Sequence, residues 1–152
     1  MKSDHQKRIE MFMKMALQEV PTRPIMPSAE VRKLRASLIL EEALETIQGL
    51  GFRVKEDEED GDLVLVESGK PDMIEIIDGC GDVSVVTIGT LSAMGVSDKP
   101  VLEAIDMNNL AKFGPGSFRD AKGKWIKPAG HQPPDIKAVL LAQGMVACDA
   151  HK

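Results

Sequence analysis

The sequence has no tyrosine, one tryptophan and four phenylalanines in 152 residues, so aromatic packing cannot dominate its interior. Nine methionines take that place as filler for a helical core. The two cysteines, Cys80 and Cys148, supply no disulfide framework and read as reduced thiols of a cytoplasmic protein, Cys80 inside a buried helix between two glycines. The opening MKSDHQKRIEMFMKM lacks an apolar stretch of signal length, and no apolar run reaches the length of a membrane span. No membrane partner is expected. Basic residues are also in the minority, 19 against 24 acids for a net charge of −5, which offers no broad footprint for nucleic acid. The length suits a single domain over residues 1–152 with its own core and leaves no room for a second.

A more local absence is the most informative one. In residues 34–48, Leu34, Leu38, Glu41, Glu45 and Gln48 recur at helical spacing, and Glu75, Asp78, Asp82, Val85 and Gly89 do the same in residues 71–93. Acids on a solvated helix face ordinarily have Lys or Arg three or four residues away, pairs worth about 0.2–0.5 kcal/mol each. None of these acids has such a neighbour. Glu41 with Glu45, Glu42 with Glu45, Glu75 with Asp78 and Asp78 with Asp82 are like-charge pairs instead. Carboxylates held beside a core without cations need protons or a cation from elsewhere. An oxygen-only donor set points to magnesium, with manganese as a substitute, and magnesium is commonly shared with substrate phosphates. The plain alternative is a solvated acidic face on a non-catalytic helical interaction protein. A di-iron carboxylate bundle would need Glu-x-x-His on two helices, and the core helices carry no His.

Along the chain, Ser3 or Asp4 caps a helix over residues 3–19, with Ile9, Phe12, Met13, Ala16 and Leu17 as its apolar stripe. Prolines 21, 24 and 27 enforce an extended link to a helix over about 29–50. Residues 52–67 read as a β-hairpin around an acidic turn. Residues 56–67 also resemble a calcium loop, but the first position is Glu rather than Asp, and strands flank it. Pro71 suits the first turn of the second acidic helix, which ends at Gly95, and Ser97 or Asp98 caps a further helix to about Lys112. A hairpin-like segment around Lys122 and Gly123 carries Arg119, Lys122, Lys124 and Lys127, either a solvated basic loop or a source of phosphate contacts. Pro134 and Asp135 lead into a short last helix.

Glu41-Glu42-Ala43-Leu44-Glu45 followed by Glu75-Ile76-Ile77-Asp78 resembles the EExxE and ExxD motif of the all-α nucleoside triphosphate pyrophosphohydrolases, the superfamily of MazG-like proteins and phosphoribosyl-ATP pyrophosphohydrolase. Residues 106–112, DMNNLAK, resemble a family segment ending in NMxK, and Pro133-Pro134-Asp135-Ile136 resembles a PPDI near the C-terminus of MazG-like members. The resemblance implies a mainly α bundle of four to five helices, with the hairpin at about 52–67 as an insertion. It implies hydrolysis of a nucleoside triphosphate to monophosphate and pyrophosphate, with phosphoribosyl-ATP as the alternative substrate. Glu42, Glu45, Glu75 and Asp78 would hold magnesium, with Asp82 as a further ligand or an acceptor behind the ligands. Glu41 would orient or deprotonate the attacking water, and Asn109 and Lys112 would contact substrate, joined by Arg119 and Lys127 from the basic segment. A homodimer or homotetramer is the implied assembly.

Overall fold

A computed structural model describes residues 1–57, 61–121 and 123–146. Its elements are α1 (Asp4–Met15), α2 (Ala29–Gly49), the strands β1 (Phe52–Glu56) and β2 (Leu63–Glu67), α3 (Met73–Ala93), α4 (Asp98–Ala111), the short strands β3 (Phe118–Arg119) and β4 (Trp125–Ile126), and α5 (Ile136–Ala142). The fold is mainly α, with two small antiparallel hairpins, β1 with β2 and β3 with β4. Cys148 and Lys122 lie outside the described residues.

The helices start where side chains satisfy their first N–H groups. Ser3 accepts from Gln6 N, Ser28 from Val31 N, and Asp135 from Ala138 N. Asp72 accepts from Ile74 N at 2.8 Å and Glu75 N at 3.4 Å. The second acidic helix therefore begins at Met73, and Pro71 stands before the cap rather than in the first turn. α1 also differs from expectation, ending at Met15 because Leu17 adopts φ 58° and Gln18 N folds back onto Met13 O. Its buried face is Gln6, Ile9, Glu10 and Met13, while Phe12, Ala16 and Leu17 are exposed.

α2 and α3, each of 21 residues, pack antiparallel against each other and are joined through the first hairpin. Asp72 N donates to Gly49 O at 2.9 Å, closing the hairpin against the end of α2. The register is fixed by close approaches: Gly49 to Glu75, Thr46 to Gly79, and Arg35 to Gly89. At Gly79 a methyl group would lie 2.5 Å from Thr46 Oγ1 and 3.1 Å from Thr46 Cα, so the helices meet this tightly only because that side chain is missing. The face of α2 that meets α3 runs through Arg35, Glu42, Thr46 and Gly49. That is about one residue round from the stripe of Leu34, Glu41, Glu45 and Gln48 expected from spacing.

The core is small. Ile9, Met13, Ile88 and Ala93 form its centre, with Val20, Val31, Val85 and Leu91 packed against it. Beyond it the α3–α4 turn gathers distant segments. Gln6 Nε2 donates to Val96 O at 2.7 Å and to Ser92 Oγ at 3.0 Å, and Gln6 Oε1 accepts from Asp98 N at 2.9 Å. Ser3 N and Ser3 Oγ both donate to the Asp98 carboxylate. Ile25 N donates to Met94 O, and Gln143 accepts from Ser97 N at 2.6 Å. Gly95 is required in this turn: φ is +70°, and a Cβ would sit 2.0 Å from Arg23 O.

Much apolar surface stays outside. On α3, Met73, Ile74 and Ile77 are 78%, 79% and 67% exposed, and on α4 Met107 and Leu110 are 62% and 65% exposed. Cys80, expected inside, is exposed as well, because its neighbour Gly79 takes the face toward Thr46 of α2 and leaves Cys80 round the helix from it.

Candidate metal and nucleotide site

The antiparallel register of α2 and α3 sets Glu42 across from Asp82. Glu42 is half-buried, and its backbone carbonyl accepts a 2.7 Å hydrogen bond from Thr46 Oγ1 one turn on, which ties Thr46 down beside Gly79. Loss of water pushes the Glu42 carboxyl above its ordinary range, and the charges of Asp82, Glu45, Glu41 and Asp78 push it further the same way. Five of the six acids singled out in the sequence are thus electrostatically coupled at one level of the helix pair. Glu75 lies one turn before Asp78, its Cβ and backbone against Gly49.

Glu41, Glu45, Glu75, Asp78 and Asp82 are exposed. Among the described residues no three carboxylate, imidazole or thiol side chains converge closely enough to hold a metal ion. The donor chemistry nevertheless fits a hard cation. The set offers oxygen ligands only, and the two ion pairs among the described residues, Lys2 with Glu10 and Lys7 with Asp4, involve none of these acids. A dication shared by Glu42, Glu45, Glu75 and Asp78 would relieve the repulsion that raises the Glu42 carboxyl.

Asp82 stands on a ridge between two spaces. On one side is a cavity of about 350 Å³ between α1, α2 and α3, which Glu42, Asp82, Arg35 and Gln18 line together with apolar side chains. On the other is an open groove along α3, bordered by Met73, Ile77, Asp78 and Gly81, with His5 at its edge.

The residues expected to touch substrate lie elsewhere in the chain. Lys112 Nζ donates to Asn109 Oδ1 at 2.7 Å at the end of α4, so these two are together. Arg119 Nε donates to Gly123 O across the β3–β4 turn at 2.8 Å, and Lys127 is exposed just after β4. None of these four lines either space that holds the carboxylates.

Sequence reasoning passed over Arg35. It is only 7% exposed, seven residues before Glu42 on the inner face of α2, and it donates through Nη2 to Gln18 Oε1. Its Nε is buried without a partner, and burial lowers its pKa. The signal was a cation in line with Glu42, Thr46 and Gly49, legible only once those residues are known to share a face.

A family model described as phosphoribosyl-ATP pyrophosphohydrolase matches residues 9–109, well over half of the chain, and runs from the middle of α1 through most of α4. No curated protein matches the sequence significantly.

Proposed function

The chain belongs to the phosphoribosyl-ATP pyrophosphohydrolase family, within the MazG-like all-α nucleoside triphosphate pyrophosphohydrolase superfamily, and from that premise we propose that it hydrolyses a nucleoside triphosphate to the monophosphate and pyrophosphate with magnesium. The observation that carries this reading is the crowding around Glu42: four neighbouring carboxylates, partial burial, and no cation paired with any of them among the described residues. Glu42, Glu45, Glu75 and Asp78 would hold the metal, with manganese able to replace magnesium, and Asp82 would support them from the ridge. Held there, the ion would supply positive charge against the phosphates and the leaving pyrophosphate. Glu41, exposed beside the cluster, orients the attacking water and takes its proton. The water oxygen bonds to phosphorus as the bridging P–O bond between the α and β phosphates breaks, and pyrophosphate leaves. Lys112 and Asn109 at the end of α4, with Arg119 and Lys127, contact the substrate.

Those four residues lie outside the spaces that hold the carboxylates, which favours a site completed by a second copy. The exposed apolar residues of α3 and α4 supply a surface for it, since exposed apolar patches mark interfaces. A homodimer or homotetramer is expected by light scattering, and a monomer at micromolar concentration would remove this part.

The family description favours a second reading, phosphoribosyl-ATP as substrate, which breaks the same kind of bond. Pyrophosphate release measured across ribo- and deoxynucleoside triphosphates and phosphoribosyl-ATP, with and without magnesium, separates the two. No release from any of them would leave the acids as surface of an interaction protein.

A further inference from the structure

The cavity between α1, α2 and α3 holds a group that the hydrolytic reading leaves unused. Arg35 is buried, no carboxylate pairs with it among the described residues, and its Nε has no hydrogen-bond partner. An arginine carries five N–H donors and stays charged, so burial in this state leaves donors in want of an acceptor. Its Nη2 donates to Gln18 Oε1, which leaves the Gln18 Nε2 as a second donor at the same place. Around these two the lining is apolar, including Ile9, Leu34, Leu38 and Val85, and Phe12 stands at the rim, 61% exposed. An apolar space of about 350 Å³ with a few convergent polar groups has the make-up of a small-molecule site.

We propose that this cavity takes the base of the nucleotide, with Arg35 and Gln18 donating to a ring carbonyl, so that guanine, hypoxanthine and pyrimidine bases are favoured over adenine. The inference rests on the nucleoside triphosphate reading of the carboxylates and speaks against phosphoribosyl-ATP, an adenine nucleotide, as the substrate. Glu42 and Asp82 line the same cavity, and Arg35 is seven residues from Glu42, about 10 Å along the helix, which leaves room for a ribose between base and phosphates. A phosphate at Arg35 fits poorly, since no second cation lines the cavity and two carboxylates do. A neutral carbonyl needs only one guanidinium, and arginine donates readily to the acceptor edge of guanine. Phe12 is placed to cover the ring face. Adenine carries no carbonyl at all: where guanine and hypoxanthine place O6 and uracil O4 it sets an amino donor against donors, while cytosine still offers its C2 carbonyl.

The test is equilibrium binding of inosine, cytidine, uridine and adenosine to the full chain, beside a hydrolysis panel of the corresponding triphosphates with magnesium. The wild type is expected to favour carbonyl-bearing nucleosides at least tenfold over adenosine. Arg35→Met, close in length and without a charge to bury, should abolish that preference while circular dichroism and the melting temperature stay near wild type. Gln18→Leu should reduce the preference and serves as the second variant if Arg35→Met does not fold. Equal binding of adenosine, or a preference that survives both substitutions, overturns the proposal. If nucleosides bind with the Arg35-dependent preference but no triphosphate is hydrolysed, the pocket stands and the hydrolytic reading falls. Hydrolysis whose base preference ignores Arg35 and Gln18 removes the pocket and leaves the hydrolytic reading standing.

Discussion

Two aspartate- and glutamate-bearing regions of this molecule treat negative charge in opposite ways. At Asp98, 2% exposed, burial alone would raise the carboxyl, yet hydrogen bonds from Ser3 Oγ, Ser3 N and Lys99 N outweigh it and hold the pKa below the ordinary range. At Glu42 burial and four neighbouring acids all act in one direction, and nothing among the described residues answers them. A charge whose donors are built into the fold is structural. One left unanswered beside a cavity is what the proposed metal would answer.

The largest expected effect is on turnover. Glu42→Gln and Asp78→Asn should each reduce pyrophosphate release by at least about 100-fold, a loss of about 2.7 kcal/mol in transition-state stabilisation. Neither should lower the helix content, and near-wild-type rates in both would end the metal-site reading. Asp98→Ala should do the reverse, leaving the Ser3 N, Ser3 Oγ and Lys99 N donors without their acceptor, and cost about 2–4 kcal/mol in urea unfolding. Magnesium at about 100 times its dissociation constant should stabilise the wild type by about 2.7 kcal/mol and Glu42→Gln far less, read as a shift in melting temperature. Gly79→Ala forces the helix pair apart at Thr46, and about 1–3 kcal/mol of destabilisation is expected by the same urea assay.

The smallest effect is in pH dependence, and its sign distinguishes the regions. Asp98 has a lowered carboxyl, so its contribution is present above the ordinary carboxylate range and is lost as pH falls through its folded value. Glu42 has a raised one, so without metal its contribution is present below the ordinary range and is lost as pH rises through its folded value. Metal-free urea midpoints across the acid range should therefore flatten at low pH in Asp98→Asn and improve near neutrality in Glu42→Gln. Identical profiles would erase the contrast.

The helices were legible because their punctuation is local. Ser3, Ser28 and Asp135 cap as their types predict, and the EExxE and ExxD spacing placed the acids on two helices. The face of α2 was not legible, since Leu38, Ile39 and Leu40 are apolar all round and Glu41 stands beside Glu42, so the periodicity permits adjacent stripes. Only the approach of Gly79 to Thr46, a property of the pair, chooses between them. Gln6 and Arg35 are buried polar side chains whose partners are remote in sequence, and a single polar residue in a helix reads as surface until those partners are known. Leu17 failed because the stripe continued on paper past the point where the backbone turns left-handed, and Phe12 because the buried face of α1 runs beside it through Ile9, Glu10 and Met13.

The bonds from Ser3 and Gln6 to Val96 and Asp98 join residues at least 90 positions apart. During synthesis on the ribosome the first helix therefore emerges long before its partners exist, with Ile9 and Met13 uncovered until the α3–α4 turn has cleared the exit tunnel. α1 is thus made well before the turn that locks it, and its docking waits on contacts that close long loops.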